Sequence, residues 1–229
     1  MKILCIIPAR GGSKGIPHKN IKRLGDKPLI CYAIDNARAI VDDADICVTT
    51  DSAEIIEVVE KYGLKVPFVR PPELASDTAG TYEVLLHALS FYESKGIKYD
   101  AIILLQPTSP FRQNEDLKRA LSLYSSDIDM VVSVKPASSN PYYNCFEENS
   151  EGFLKISKGS GEYCRRQDAP KAWEYNGAVY VINPDSLKRS KLSEFKRIRK
   201  YEMDELHSLD LDTLFDWKIA ELLLSEEMV

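Results

Sequence analysis

A short loop rich in glycine and in cationic side chains follows the first apolar run of the chain. The sequence PARGGSKGIPHKN spans residues 8–20 and combines Arg10 and Lys19 with three glycines. Glycine lets backbone amides turn toward a bound anion, and Arg and Lys donate charge-assisted hydrogen bonds to phosphate oxygens. The loop is neither a Walker A sequence nor a GxGxxG dinucleotide motif. We therefore interpret this opening loop (9–20) as a polyphosphate cradle, with a solvated basic turn as the alternative.

A pair of carboxylates lies near the other end of the chain, in the sequence SLDLD at residues 208–212. If this segment is extended, successive side chains alternate faces, so Asp210 and Asp212 point the same way. Leu209 and Leu211 are then expected to be buried behind them. Two carboxylates on one face suit Mg²⁺, which completes its shell with water and substrate phosphates. The alternative is that Asp212 caps the helix predicted to follow it, and the two roles do not exclude one another.

The chain between these motifs alternates strand-like and helix-like segments. Short, almost continuous apolar runs are typical of strands buried on both faces, and they occur as ILCIIPA, DICVTT, AIILLQ, MVVSV and GAVYVIN. Helical spacing of apolar residues occurs in PLICYAIDNARAI, SAEIIEVVEKYG, TYEVLLHALSFYESKG and TLFDWKIAELLLSEE. The alternation predicts an α/β fold with a mostly parallel sheet and helices on both of its faces.

The residues that follow the strands are the expected site, because ligands of open parallel sheets bind beyond the carboxyl ends of the strands. The opening loop follows the first strand, and Asp51 follows the second. Arg70 follows a later apolar stretch, and the sequence LLQPTSPFR follows a further strand. These positions predict one site at a single edge of the sheet.

Composition limits the classes of protein that remain. The chain has 229 residues, 44% of them hydrophobic, and a formal net charge of -5. This length predicts a single domain over 1–229, and the acidic balance argues against a protein that coats nucleic acid or a membrane surface. Five cysteines are scattered without a CxxC pair, which is typical of a reducing compartment. Since no signal-peptide pattern and no long apolar run appear, we expect a cytoplasmic protein without nucleic-acid or membrane partners.

The alternation of strands and helices fails between residues 136 and 175. This segment is polar, rich in Asn, Ser, Gly and Tyr, and too long for a plain connection. It predicts an excursion from the domain that either packs on a partner subunit or closes as a mobile lid.

Five motifs, taken in order along the chain, resemble those of the acylneuraminate cytidylyltransferases. They are PARGGSKGIPHKN, RPPELASDTA, LLQPTSPFR, YNGAVY and SLDLD. The resemblance implies a Rossmann-like nucleotidyltransferase fold and a homodimer in which the excursion reaches the partner's site. It implies that CTP and a 2-keto sugar acid, a sialic or related nonulosonic acid, give the CMP-sugar and pyrophosphate. Such products supply the biosynthesis of cell-surface polysaccharides.

The resemblance also implies roles for residues around the nucleotide. Arg10 and Lys19 would counter the charge that shifts onto the departing pyrophosphate. Asp210 and Asp212 would bind Mg²⁺, and these four residues are the catalytic candidates. Asp212, or a hydroxide near it, is the candidate base. The nucleotide-binding candidates are Ala9, Arg10, Gly11, Ser13, Lys14, Lys19, Asn20, Arg70 and Thr81, the last standing where the family carries a serine.

The sugar-binding candidates come from the later motifs. They are Gln106, Arg166, Gln167, Asn176 and Tyr180. The resemblance implies that Arg166 and Gln167 face the acidic sugar or the phosphates. Arg165 takes the place of Arg166 if the alignment shifts by one residue, and Tyr180 fits core packing equally well.

Two departures from the sialic-acid enzymes leave the sugar open. Those enzymes carry a lysine in the excursion and an arginine just before the NGA motif, where this chain has Tyr143 or Asn144, and Glu174. A carboxylate in place of a cation changes which polar substituent of the sugar finds a hydrogen-bond partner in the site. Sialic, legionaminic and pseudaminic acids therefore all fit the sequence. The alternatives are a CMP-Kdo synthetase-like enzyme and a non-catalytic nucleotide sensor. The sensor predicts loss of a charged site residue, whereas all four catalytic candidates are present.

Overall fold

The computed structural model describes residues 1–13, 15–76 and 80–229 of the chain. Its strands are β1 (Ile3–Pro8), β2 (Arg23–Leu24), β3 (Lys27–Pro28), β4 (Ile46–Thr49), β5 (Ala101–Leu104), β6 (Met130–Pro136), β7 (Phe146–Glu148), β8 (Leu154–Ile156), β9 (Trp173–Ile182) and β10 (Ile198–Glu202). Its α-helices are α1 (Leu29–Arg38), α2 (Ala53–Lys61), α3 (Thr81–Glu93), α4 (Asn114–Ser122), α5 (Pro184–Arg189) and α6 (Leu214–Ser225). None of these described helices has the length and apolarity needed to cross a membrane.

The central sheet has six strands in the order β10-β6-β9-β5-β1-β4. Neighbouring strands pair in parallel, except that β9 is antiparallel to both β5 and β6. The predicted mostly parallel α/β sheet is therefore confirmed, and the run GAVYVIN lies in the reversed strand. Because β9 runs in the opposite direction, its first residues lie at the edge where the parallel strands end.

Side chains of β1 alternate between two apolar cores, one on each face of the sheet. Cys5 and Ile7 pack with residues of α1, α2 and α4. Leu4 and Ile6 pack with residues of α3 and α5. All four side chains are fully buried, and burial of an aliphatic side chain of this size contributes about 1.5–3 kcal/mol. The run is continuously apolar because helices cover both faces of the strand.

Helix α6 fixes where the 208–212 segment ends. Trp217 is almost completely buried in a third core cluster. Thr213 is the N-cap of the helix, and its hydroxyl accepts a hydrogen bond from the backbone N–H of Asp216 at 3.2 Å. This bond is typical of an N-cap residue. The alternative that Asp212 caps this helix is therefore wrong, and the Asp212 side chain is left for another role.

The sequence patterns do not predict α4, α5, β10 or the two short hairpins of β2 with β3 and of β7 with β8. The edge strand β10 has the sequence IRKYE, and most of its side chains are exposed or only partly buried. It therefore lacks the continuous apolar run by which the inner strands are recognised. Helix α4 buries only Leu117 and Ala120, which is too few for a clear helical pattern.

The excursion between β6 and β9 carries the hairpin of β7 and β8. In the register of β6 and β9, Lys135 pairs with Glu174, so the excursion leaves and rejoins the sheet at one edge. Phe146, Phe153 and Leu154 of the hairpin region are exposed, Leu154 to 70%. A two-stranded hairpin is marginal in water by itself, and exposed apolar side chains of this kind fit a surface covered by a partner. A role in dimerisation stays a prediction.

Candidate active site

The opening loop leaves the sheet where β1 ends, beside the end of β4. Ala9 is buried, and its N–H donates to the Thr49 carbonyl at 3.0 Å. The Gly11 N–H donates to the Asp51 carboxylate at 3.1 Å. The loop is thus held from its first residues by the neighbouring parallel strand and by the carboxylate that follows that strand.

The rest of the opening loop folds back on itself. Asn20 is buried, and its side-chain amide donates to the Arg10 carbonyl at 3.1 Å, which joins the two ends of the loop. The Ser13 N–H donates to the Gly11 carbonyl at 3.2 Å. Lys14, also predicted to bind nucleotide, lies outside the described residues. The described part of the loop is therefore a folded concave element at the carboxyl end of β1.

The opening loop is in direct contact with the 208–212 segment. The Lys19 ammonium donates to the Leu211 carbonyl at 2.7 Å and to the Asp212 carboxylate at 3.1 Å. Gly15 approaches so closely that a Cβ at this position would lie 2.2 Å from the Asp212 carbonyl oxygen. The structure therefore brings together the two motifs that the sequence places at opposite ends of the chain.

Residues 209–212 of the 208–212 segment belong to neither a strand nor a helix, and Ser208 ends the turn that precedes them. Leu211 is completely buried, whereas Leu209 is only half-buried, so the expected burial of both leucines holds for one of them. The Leu211 N–H donates to the Thr108 carbonyl at 2.9 Å. This bond lies between Asp210 and Asp212, and it ties the carboxylate segment to the turn that follows β5.

Asp210 is a largely buried carboxylate with an unused ligand atom. Its Oδ1 is buried and has no hydrogen-bond partner among the described residues. Burial raises the pKa of Asp210 above the ordinary aspartate value, and the nearby Asp212 charge raises it further. Thr108, Lys19 and Arg112 act in the opposite direction. A carboxylate destabilised by burial and by a like charge gains from a bound cation, so this pair fits the Mg²⁺ implied by the resemblance.

Two carboxylates alone do not form a complete protein cage for a metal. In the part of the chain that the structure describes, no group of three or more His, Cys, Asp or Glu side chains is arranged to hold an ion. Mg²⁺ bound with one or two carboxylates takes its other ligands from water and substrate phosphates. The arrangement therefore fits a metal that binds together with a phosphorylated substrate.

Among the pockets that adjoin the opening loop, two are large enough to hold part of a ligand. The first, which we call the loop pocket, has a volume of about 360 Å³. Its lining is Pro8, Arg10, Ser13, Gly15, Lys19, Asn20, Gln106, Pro107, Thr108 and Asp212. The second, which we call the Arg70 pocket, has a volume of about 330 Å³ and lies between Arg70 and the start of α3 at Thr81. Pro8 and Arg10 line both, so the two pockets meet at the end of β1.

Arg70 is a buried arginine rather than an ordinary surface residue. It is 4% exposed, its Nε donates to the Thr49 hydroxyl at 3.1 Å, and its guanidinium also donates to the Thr49 carbonyl. Burial lowers the pKa of Arg70 below the usual arginine value. Its backbone N–H donates to the Thr50 carbonyl at 2.7 Å. The strand end thus holds Arg70 rigidly at the wall of its pocket, opposite Thr81.

Gln106 lines the loop pocket, and Gln106 and Tyr180 both lie near Asp210. A Cβ added at Gly177 would lie 3.2 Å from the Gln106 side-chain oxygen and 3.7 Å from an Asp210 carboxylate oxygen. Tyr180 is partly buried against the core, and burial together with the Asp210 charge raises its pKa to about 12. Gln106, Ser109 and Asp210 therefore surround a glycine that leaves room for them.

Asn176 is placed behind the site and not at the surface of either pocket. It is 4% exposed, and its amide oxygen accepts a hydrogen bond from the Ser133 hydroxyl at 2.5 Å. Its amide nitrogen donates to the Ser208 hydroxyl at 2.8 Å. The Asn176 side chain, for which the motif predicts a sugar contact, therefore already forms hydrogen bonds with Ser133 and Ser208 within the protein. Its bonds instead hold the start of the 208–212 segment against β6 and β9.

Arg166 and Gln167 are not brought together with the other candidates. Both are exposed and line a separate cavity of about 730 Å³ at the base of the excursion. The Arg166 guanidinium donates to the Ser138 carbonyl. The fallback residue Arg165 forms an ion pair with Asp168 at 2.7 Å. Within one chain, these residues stay apart from the loop pocket.

Three buried polar residues help to hold the site, although no sequence pattern predicts their roles. The Thr49 hydroxyl accepts a hydrogen bond from Arg70, and the Ser208 hydroxyl accepts one from Asn176. Arg112 ends the motif LLQPTSPFR and has no predicted role. All three stand in or beside recognisable motifs. Their partners lie far along the chain in two cases, and a pattern of neighbouring residues carries no trace of such contacts.

Comparison with known proteins agrees with this geometry. The sequence model of a family described as Cytidylyltransferase matches residues 4–223. The chain belongs to the cytidylyltransferase family. The matched residues include the opening loop, the turn after β5 and the 208–212 segment. All the contacting elements described above therefore lie within the part of the chain that the family model matches. The predicted class of enzyme, a nucleotidyltransferase, is confirmed.

Two relatives support a finer placement within the cytidylyltransferases. The chain is 32% identical over 228 residues to the CMP-N,N'-diacetyllegionaminic acid synthase of Legionella pneumophila, a match that covers 98% of this chain and 97% of that protein. It is 39% identical over 221 residues to an N-acylneuraminate cytidylyltransferase of Streptococcus agalactiae, covering 95% of this chain and 52% of that longer protein. The resemblance to acylneuraminate cytidylyltransferases is thereby confirmed.

A solved structure supports the fold. CMP:2-keto-3-deoxy-manno-octonic acid synthetase complexed with CTP matches with a TM-score of 0.73, covering 99% of this chain and 100% of that chain. The sequences are 19% identical, so this likeness bears on the fold alone. The predicted Rossmann-like nucleotidyltransferase fold is confirmed.

The close approach at Gly15 leads to a test. The Cβ of a Gly15→Ala variant would clash with the Asp212 carbonyl, so the opening loop must move away from the 208–212 segment. A displacement of about 1 Å can cost roughly 100-fold in rate, and we expect a loss of about that size in kcat/KM for cytidylyl transfer. Gly12→Ala is the matched control, since its added Cβ meets nothing within 4 Å, and it should lose far less. Equal losses in the two variants would contradict the contact.

Proposed function

We propose that this protein transfers the cytidylyl group of CTP to a 2-keto sugar acid of the nonulosonic class and releases pyrophosphate. The observation that carries the proposal is the contact between Lys19 and the 208–212 segment, which sets an anion-binding loop against a carboxylate pair. The names of the relatives from Legionella pneumophila and Streptococcus agalactiae support the sugar class. A cytoplasmic reaction with no nucleic-acid or membrane partner follows from the same substrates.

The two adjoining pockets suit the two parts of a nucleotide. In the proposed complex the triphosphate occupies the loop pocket, where Lys19 and loop amides face it. The cytidine occupies the Arg70 pocket, beside Thr81. Arg10 lines both pockets, so it lies where the nucleoside joins the phosphates. Asn20 binds the Arg10 carbonyl and thereby holds this junction.

The chemistry is one displacement at phosphorus. The anomeric hydroxyl oxygen of the sugar acid forms a bond to the α-phosphorus, and the bond from that phosphorus to the oxygen bridging it to the β-phosphorus breaks. Charge then moves onto the pyrophosphate, where the cations Arg10 and Lys19 offset it. The hydroxyl proton passes to Asp212, which is the proposed base because it is exposed at the wall of the loop pocket. No covalent enzyme intermediate is needed.

Asp210 and Asp212 are the residues that would hold Mg²⁺, and the ion would supply positive charge between a triphosphate and a carboxylate-bearing acceptor. The protein's own part is to keep these carboxylates in place. The backbone bond from Leu211 to Thr108 and the ammonium of Lys19 hold the segment from two sides. The Asp210 Oδ1, which has no hydrogen-bond partner within the described residues, is the atom most in need of a cation.

The acceptor lies, in this proposal, between Gln106 and Tyr180, with Arg166 and Gln167 supplied by the excursion of a partner subunit. Glu174, which departs from the sialic-acid enzymes, forms an ion pair with Lys135 at 3.2 Å. A carboxylate paired in this way leaves less positive charge near the acceptor than an arginine would. A legionaminic or pseudaminic acid is therefore as suitable an acceptor as a sialic acid, and Kdo is the alternative outside this class.

The partner subunit gives a prediction of its own. We expect a homodimer with a mass near twice the 25.9 kDa of the chain, formed through the exposed apolar residues of the hairpin. The double variant Phe153→Ser and Leu154→Ser should shift the protein to monomer in light scattering, because both side chains are largely exposed in one chain. Phe215→Ser is the control, since Phe215 is similarly exposed but lies on α6. A wild-type monomer, or a dimer that resists the double substitution, contradicts this surface.

The reaction itself is tested by pyrophosphate release. Purified protein is incubated with Mg²⁺, each of the four ribonucleoside triphosphates in turn, and N-acetylneuraminate, legionaminate, pseudaminate or Kdo. We expect release with CTP and one nonulosonate, since CTP is the donor and the acceptor pocket selects one sugar. Release with Kdo alone supports the alternative enzyme. CTP binding without release across the panel points to the sensor, and absence of CTP binding rejects the proposal.

The carboxylate pair provides a sharper test of catalysis against binding. Asp210→Asn and Asp212→Asn preserve shape but remove charge, so each should lower kcat by at least about 100-fold. The dissociation constant for CTP measured without metal should change by less than about 3-fold, because the triphosphate contacts are assigned to the opening loop. Steady-state kinetics measures kcat, and isothermal titration calorimetry measures the dissociation constant for CTP. Equal losses of turnover and of CTP affinity would count against a place for these carboxylates at the reacting phosphate.

A further inference from the structure

Arg112 is a cation enclosed in the protein directly behind the turn that follows β5. It is 2% exposed. Its Nε donates to the Ser109 carbonyl at 2.9 Å, and its Nη2 donates to the same carbonyl at 2.7 Å and also to the Gln106 carbonyl. One guanidinium therefore binds both ends of the turn 106–109. A planar fork of donors is suited to such a double contact, and a lysine ammonium is not.

The burial of Arg112 is costly and calls for a reason other than packing. Desolvation holds the pKa of Arg112 down to about 9, with the charges of Asp210 and Asp116 acting against this. Its hydrogen bonds go to backbone carbonyls rather than to a carboxylate, and its Nη1 is buried without a hydrogen-bond partner among the described residues. Replacement of a buried charge by an apolar side chain of similar volume is often neutral or stabilising. A residue that served stability alone would therefore be better apolar.

The turn held by Arg112 touches both halves of the proposed chemistry. Its first residue, Gln106, lines the loop pocket with the side chain assigned to the sugar. Its Thr108 carbonyl accepts the Leu211 N–H at 2.9 Å, between the two carboxylates. A shift of the turn therefore moves the acceptor contact and the carboxylate pair together. Neither Arg70 nor Thr81, which line the other pocket, lies on this turn.

A second observation places unsatisfied polar atoms in the same region. The Ser109 hydroxyl and the Asp210 Oδ1 are buried without hydrogen-bond partners among the described residues, as is the Nη1 of Arg112. A Cβ added at Gly177 would lie within 3.7 Å of the Gln106 amide oxygen, the Ser109 hydroxyl and an Asp210 carboxylate oxygen alike. Buried polar groups without a protein partner call for an explanation other than packing, and a bound ion or ligand is one such explanation.

We infer that Arg112 is a positioning residue for nucleotidyl transfer, which holds the turn 106–109 so that Gln106 and the carboxylate pair keep one placement relative to each other. The inference rests on the proposed function for its acceptor and its metal. It assigns to Arg112 no contact with substrate. Its effect is on the acceptor and on the metal site, and the binding of the cytidine is left unchanged.

The experiment compares Arg112→Lys, which keeps the charge but loses the fork, with Arg112→Gln, which keeps a donor but loses the charge. In both variants we expect kcat to fall by roughly 10- to 100-fold and the KM of the sugar acid to rise by several-fold. The dissociation constant of Mn²⁺, measured by electron paramagnetic resonance with CTP present and acceptor absent, should rise by about 5-fold or more. The KM of CTP should rise by less than the KM of the sugar acid, because the pocket assigned to the cytidine is lined by Arg70 and Thr81, which do not lie on this turn.

A structural control separates positioning from a loss of stability. Asn183 is a buried amide that caps α5, away from both pockets, through bonds to the N–H groups of Asp185 and Ser186 and to the Ser126 carbonyl. Asn183→Ala should lower the melting temperature without changing kcat or the Mn²⁺ affinity. Wild-type kinetics in Arg112→Lys would overturn the inference, since charge without the fork would then suffice. The same losses in Asn183→Ala, or an equal rise in the KM of CTP, would overturn it in favour of a purely structural role.

The Mn²⁺ measurement keeps the two proposals apart. It needs no sugar acid, so it remains informative if none of the acceptors in the panel is turned over. A normal Mn²⁺ affinity in both Arg112 variants rejects the positioning role even when the wild-type enzyme is active. If Arg112→Lys does not fold, Arg112→Gln provides the same comparison with a shorter side chain that needs less space in the core.

Discussion

The ammonium of Lys19 joins the first loop of the chain to the 208–212 segment, which precedes the final helix. It donates to the Leu211 carbonyl and to the Asp212 carboxylate, and Gly15 beside it leaves no space for a side chain. A site that brings a triphosphate to an acidic sugar must place many negative charges close together, and cations have to stand between them. The rest of the fold serves to hold this cation and these carboxylates at a fixed separation.

The order of strands in the sheet makes that contact possible. The strands β1 and β5 are neighbours, so the opening loop and the turn 106–109 leave the sheet side by side. The reversed strand β9 enters from the same edge and brings Asn176 and Gly177 behind the turn. Buried hydrogen bonds then connect the 208–212 segment to both neighbours, through Thr108 on one side and Ser208 on the other. Each connection joins residues far apart in sequence, so the site exists only in the folded sheet.

Sequence reasoning recovers the parts of this protein whose pattern is local. Continuous apolar runs predict the inner strands, and the five ordered motifs predict the family that the sequence match confirms. The cations and glycines of the opening loop predict an anion site, which stays a prediction. The edge strand β10 is missed because its exposed side chains hide any apolar run. The motif position of Asn176 predicts a sugar contact, but it does not reveal which way the side chain points, and the amide forms hydrogen bonds within the core. No sequence pattern predicts the role of Arg112, because its partners are backbone carbonyls, which every residue type carries.

The reversal of β9 has a consequence for how such an enzyme changes over evolutionary time. The excursion leaves β6 and returns to β9 at a single edge, through the paired residues Lys135 and Glu174. Insertions or exchanges within it need no crossover of the sheet and leave β1, β4 and β5 undisturbed. The proposed function assigns only part of acceptor recognition, Arg166 and Gln167, to this replaceable segment, and it assigns donor recognition to residues outside the segment. Remodelling of the excursion would then change those acceptor contacts and leave the two nucleotide pockets as they are.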